Sequence, residues 1–131
     1  MFTIQQINEA NAKVKTGADF PKLAQELFEM GILTNDVYVD DGRAEYFGKD
    51  DFVVKTSATH PILIVAEESQ AEKFQHYLKI HQQGQTDYPT FLEHSAETGI
   101  EKWTLDFNAK TCTYLDKKGN KILVEQIPEV K

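Results

Sequence analysis

The chain holds one cysteine, Cys112, one tryptophan, Trp103, and one arginine, Arg43, in 131 residues. A lone cysteine cannot close an intrachain disulfide, so nothing in the sequence calls for an oxidising compartment. A lone arginine, among 14 basic and 21 acidic residues with a formal charge of −7, argues against nucleic acid, whose phosphates are held by clustered Lys and Arg. The longest strongly apolar run, Ile62–Ala66, is far short of the ~20 residues a membrane-spanning helix needs. The start, Met1–Ala10, lacks the basic flank and continuous apolar stretch of a secretory signal. Glycine-rich phosphate loops and nucleophile elbows are missing as well. The expectation is a cytoplasmic protein with no cofactor, no nucleic-acid partner and no membrane.

What is present suits one globular α+β domain. At 40% hydrophobic and 27% charged residues, with 8 Phe and 5 Tyr, the composition supports a packed core and not disorder. Thr3 and Gln6 have capping-box spacing, and Ile4, Ile7, Ala10 or Asn11, and Val14 follow at helical period until Gly17. Asp19 caps a second predicted helix, whose apolar face is Phe20, Leu23, Ala24, Leu27 and Phe28 before Gly31. From Asp36 the period becomes two, with Val37 and Val39 facing inward. Asp41-Gly42 is read as a two-residue hairpin turn returning into Ala44–Phe47, with a third strand over 52–55. Pro61–Ala66 is read as a buried strand linking the two halves, because its run is too short for a helix.

The second half repeats the order. Ser69 and Glu72 have capping-box spacing ahead of Ala71, Phe74, Tyr77, Leu78 and His81 on one helical face. Asp87, Pro89, Phe91 and Gly99 restate the second helix, Trp103, Leu105 and Phe107 alternate, and two strands follow at 111–115 and 122–125. Shifting the chain by 68 positions aligns Asp19–Lys49 with Asp87–Lys117 without a gap, with seven identities. They include Asp19 with Asp87, Gly31 with Gly99 and Tyr46 with Tyr114, and caps, helix stops and inward strand positions coincide in role. The fold expected is an internally duplicated helix-helix-strand-strand-strand unit packed as one pseudo-twofold domain. Repeat one covers about 3–55, the connecting strand about 61–66 and repeat two about 69–127. The predicted core is Leu23, Leu27, Val37, Val39, Phe91, Trp103, Leu105 and Phe107, and the tail from Pro128 is expected to be loose.

The segments GADFP at 17–21, EYFGK at 45–49, HQQGQTDY at 81–88, GIEKW at 99–103 and CTY at 112–114 together resemble an uncharacterised bacterial family, the YbcV-like proteins. That family is a domain of unknown function often labelled "phage envelope protein". The resemblance implies prophage association and supplies no activity, cofactor or catalytic residue.

No catalytic constellation emerges from the residues. Asp36, Asp40, Asp41, Glu45, Asp50 and Asp51 fail the calcium-loop pattern, since Tyr38 takes the third position and Phe47 the twelfth. They read as solvated turns. His60, His76, His81 and His94 contain no helical i, i+4 pair, so no metal site is expected. Cys112 alternates with Tyr114 on a strand, which favours buried packing over a nucleophile. The best candidate ligand contacts are Tyr46 and Tyr114, with Cys112 beside them, facing a shared cleft; packing of both rings in the core is the plainer expectation. The function expected first is a non-catalytic protein-binding or regulatory module of prophage-associated type, with a protein partner or a homodimer. A small-molecule binder or enzyme using a cleft between the repeats, and a phage structural protein, are the alternatives.

Overall fold

A computed structural model describes residues 2–14 and 19–127. Among them are four helices, α1 (Ile4–Ala12), α2 (Phe20–Glu29), α3 (Ala71–Gln82) and α4 (Tyr88–Glu97). The strands are β1 (Thr34–Tyr38), β2 (Ala44–Phe47), β3 (Val53–Lys55), β4 (Lys102–Asp106), β5 (Thr111–Leu115) and β6 (Lys121–Gln126). They form one antiparallel sheet in the order β3-β2-β1-β4-β5-β6, so α+β is the fold class.

Strand alternation decides where the core lies. Asn35, Val37, Ala44, Tyr46, Trp103, Leu105, Cys112 and Tyr114 are buried on one face of the sheet, and their neighbours in sequence are half-buried on the other. The buried face shares one apolar cluster with Ile7 and Ala10 of α1, Ala24 and Leu27 of α2, Phe74 and Leu78 of α3, and Phe91 and Leu92 of α4. The helices thus cover one side. The opposite face carries polar pairs, with the Thr104 hydroxyl donating to Asp36 at 2.7 Å and Tyr38 donating to Glu45 at 3.1 Å.

At the centre, β1 and β4 run antiparallel with Val37 opposite Trp103, Asp36 opposite Thr104 and Asn35 opposite Leu105. The Val39 amide donates to the Glu101 carbonyl at 2.9 Å, and the Phe107 amide to the Leu33 carbonyl at 2.9 Å. These bonds extend the central seam at both ends.

The Thr3 capping box forms as its spacing predicts, with the Gln6 amide donating to the Thr3 hydroxyl and the Thr3 amide to the Gln6 side chain. Asp87 likewise caps α4, accepting from the Thr90 amide at 2.9 Å. Gly31 and Gly99 end α2 and α4 with φ of 103° and 84°, a region that L side chains avoid. The Gly17 stop and the tail from Pro128 lie outside the described residues.

Several expectations are corrected. Pro61–Ala66 is not a strand. Its amides go to separate partners, Leu63 to the Asp40 carbonyl and Ala66 to the Ala96 carbonyl, so no ladder forms. Ser69 does not cap α3: the N-cap is Gln70, without a side-chain capping bond. The Gln70 amide donates to the Thr98 carbonyl, so tertiary contact sets where the helix begins. Asp19 occupies the N-cap of α2 in a helical conformation that leaves its carboxylate without a capping bond. The first hairpin is wider than two residues, closing through a bond from the Tyr38 amide to the Arg43 carbonyl, and Gly42 alone of its Asp-Gly pair has positive φ. Arg43 bridges Asp40 and Asp41 at 3.0 Å each, so these acidic groups are paired rather than simply solvated. Of the predicted core only Leu23 falls short, being half-buried.

Candidate functional site

The helices pair within each half, α1 with α2 and α3 with α4. The two pairs wall a cleft of about 1020 Å³ over the middle of the sheet. Its floor is Asn35, Val37, Ala44 and Tyr46 from β1 and β2, and Trp103, Leu105, Cys112 and Tyr114 from β4 and β5. Phe20 and Leu23 of α2, Tyr88 and Phe91 of α4 and the loop residues Thr59–Leu63 line it as well.

Tyr46, Tyr114 and Cys112 all line this cleft. They are also core residues, each 6% exposed or less, so packing and lining describe the same positions. The Tyr114 ring meets Phe74 edge-on at 4.9 Å and Trp103 at 6.0 Å. Trp103 in turn touches Phe91 at 5.6 Å and the half-exposed Tyr88 at 6.4 Å. The floor is therefore a connected set of aromatic rings, a surface suited to apolar or aromatic matter.

The titrating groups are tuned away from reactivity. Burial pushes the Cys112 thiol up to about 12, opposed by a hydrogen bond with Tyr114. Burial raises the Tyr114 phenol well above its ordinary value, with Cys112 beside it adding to the effect. Burial also raises Tyr46, offset in part by a hydrogen bond with Asn11. At neutral pH the thiol and both phenols keep their protons, and a protonated thiol is a poor nucleophile.

His81 closes one end of the cleft, stacked on Phe91 at 4.4 Å. Burial lowers its pKa, against the effect of a hydrogen bond with Thr86, so the ring is neutral at neutral pH. Its Nδ1 lies 3.1 Å from the Thr86 carbonyl, which places the proton on Nδ1 and leaves Nε2 a lone pair. In the loop 59–63, His60 Nδ1 lies 2.7 Å from the Pro61 carbonyl, and its Nε2 is buried without a partner. His94 stacks on Tyr77 at 3.7 Å outside the cleft lining, and His76 is exposed. Among the described residues no group of three or more His, Cys, Asp and Glu side chains is placed to hold a metal ion.

Sequence reasoning missed Asn35, Trp103, His60 and Glu125 as cleft residues. The signal for two of them was cross-strand register: Asn35 pairs with Tyr46 and Trp103 with Tyr114, so each shares its tyrosine's face. His60 depends on a loop that reaches the cleft and Glu125 on β6 pairing, neither of which local pattern reveals.

Together the layers and the cleft define a small α+β domain with helices on one face of an antiparallel sheet and an aromatic-floored hollow between them. Residues 8–126 match the family described as a protein of unknown function (DUF1398), and the chain belongs to that family. No curated protein matches it. No helix among the described residues is long and apolar enough to cross a membrane.

Proposed function

We propose that the chain is a non-catalytic binding module whose small-molecule site is the cleft between its helix pairs. The observation that carries this is the cleft itself, about 1020 Å³ over Trp103, Tyr46 and Tyr114. Protein cores leave few voids larger than a water molecule, and ligand pockets run from roughly 300 to 1,000 Å³. A hollow of that size with an aromatic floor fits a guest. The protonated thiol and phenols support binding over chemistry.

We further read Asp19–Lys49 and Asp87–Lys117 as copies of one unit, related by a pseudo-twofold axis through the Asp36–Thr104 pair. The sequence identities at an offset of 68 support this, as do α2 and α4, whose bounds differ by that same offset. The bond from Val39 to Glu101 and that from Phe107 to Leu33 exchange places under it. On this view the cleft floor is one four-residue set used twice, with Asn35 matching Trp103, Val37 Leu105, Ala44 Cys112 and Tyr46 Tyr114. The resemblance to YbcV-like proteins supports a prophage-associated setting, and a single buried thiol suits the reducing cytoplasm.

Trp103, the sole tryptophan, reports on its own cleft. Ligands found by thermal shift should also change its fluorescence saturably. Tyr46→Phe and Tyr114→Phe are expected to weaken binding while lowering the melting temperature by only a few degrees, on the order of one lost hydroxyl hydrogen bond. Ligands that raise stability without perturbing Trp103 would place the site elsewhere.

A protein partner is the second reading, favoured by Ile62 and Ile64, which stand 76% and 90% exposed beside the cleft. Ile64→Ser, a change outside the cleft lining, should weaken such a complex and spare small-molecule binding.

A further inference from the structure

We infer that the ligand of the cleft is a cation, an apolar or aromatic amine carried in its protonated form, and not a carboxylate or phosphate. This rests on the cleft being a small-molecule site. The first observation is the charge of its lining. Among the described residues no Lys or Arg lines the cleft, and its charged side chains are Glu93 and Glu125. An anion entering there would lose water and gain no counter-charge.

Glu125 is well placed to meet a cation. It pairs with Cys112 across β5 and β6, which sets its side chain on the covered face beside the floor. One carboxylate oxygen accepts from the Gln82 side-chain Nε2 at 2.9 Å, and no ion pair among the described residues engages it. Its negative charge reaches the floor, where it adds to the raised pKa values of Cys112 and Tyr114.

The fixed polar atoms around the cleft point the same way. Asn35, 3% exposed, uses its side-chain nitrogen on the Asp36 and Glu45 carbonyls, which leaves its oxygen as the acceptor. His60 and His81 each hold Nδ1 against a backbone carbonyl, so each offers Nε2 as an acceptor, and that of His60 is buried and unpartnered. Acceptors call for N–H donors, which an ammonium supplies in threes. Aromatic faces on the floor add cation–π attraction, and the chain's formal charge of −7 draws cations toward it.

The test compares three probes of one shape at pH 7: phenethylamine, which is cationic, 2-phenylethanol, which is neutral, and 3-phenylpropionate, which is anionic. Binding is read by Trp103 fluorescence and by thermal shift. Phenethylamine is expected to bind about tenfold tighter than 2-phenylethanol, with 3-phenylpropionate weakest. Glu125→Gln should cut the preference for the amine to about twofold, whereas Glu29→Gln, the same change of charge away from the cleft, should preserve it. Equal binding of the amine and the alcohol, or an amine preference that survives Glu125→Gln, overturns the inference and leaves the cleft reading intact. Binding by none of the three removes the cleft reading and this inference with it. The comparison of probes on the unmodified chain stands even if Glu125→Gln does not fold.

Discussion

Gly31 and Gly99 occupy matching helix ends but differ in what surrounds them. A Cβ on Gly31 would meet nothing within 4 Å, whereas one on Gly99 would come within 2.6 Å of the Glu68 carbonyl oxygen and 2.7 Å of Ser69 Cα. Gly31→Ala should therefore cost only its positive-φ strain, about 1–2 kcal/mol. Gly99→Ala must also displace the backbone that leads into α3. Urea melts should show the larger loss at Gly99, and equal losses would mean that the 68–69 backbone gives way freely. Both stops were legible in the sequence as glycines after an apolar helical face. The crowding at Gly99 was not, because it depends on a segment thirty residues away crossing that point.

Asp116 gives the fold a pH dependence. Its carboxylate accepts from the Lys118 and Asn120 amides at 2.9 Å each and from the Asn120 side chain at 3.1 Å, tying the β5–β6 turn. Desolvation works against its charge, but the bonds from Asn120 and Lys118 win and hold its pKa below the ordinary value. A depressed folded-state pKa means a stabilising contribution present above the unfolded value, roughly 3.9, and lost as pH falls through the folded one. Asp116→Asn should thus lower the melting temperature at pH 7, and the gap from the unmodified chain should shrink in acid. A gap unchanged from pH 7 down to pH 2 would assign Asp116 a purely steric part.

Among the elements, α1 shows how far local rules reach. Its capping box forms with the residues its spacing names, so Thr3→Ala should cost about 1 kcal/mol. Ser69→Ala, at the start of α3, should cost far less, since Gln70 is the N-cap there. Denaturant midpoints would separate the two, and an equal loss at Ser69 would restore it as a cap. The contrast also marks the boundary of sequence inference. Helix faces and strand alternation follow from period, as at Phe74 and Leu78 or Trp103 and Leu105. Pro61–Ala66 has a strand's composition, yet with no neighbour to bond along its length it remains an irregular span whose Leu63 and Val65 turn inward and whose Ile62 and Ile64 turn out.

At the scale of the whole molecule, the candidate site was legible in part. Tyr46, Tyr114 and Cys112 were accessible to inference because strand parity puts them on the covered face, but the hollow above them follows from helices that pair within each half and leave the centre unfilled. The protein therefore leaves space beside a buried apolar floor where a fuller core would be more stable. Filling the hollow should stabilise it: Ala44→Val, adding volume at the floor, is expected to raise the melting temperature and weaken ligand binding together. A lower melting temperature would show that this part of the floor is already tightly packed.

The seam between β1 and β4 has a further consequence. Its antiparallel register centres on Asp36 and Thr104, so β4 without β1 is an unpaired edge able to accept another strand of its own kind. Residues 66–131 produced alone would present that edge, and two such fragments are expected to pair antiparallel about a twofold axis with Thr104 of each at the crossing. The expected product is a homodimer that rebuilds a six-stranded sheet, visible as twice the fragment mass in sedimentation and lost on placing proline at Leu105. Such a dimer would carry Trp103, Cys112 and Tyr114 on both sides of its hollow, and its formation would support the proposal that the two halves are copies of one unit.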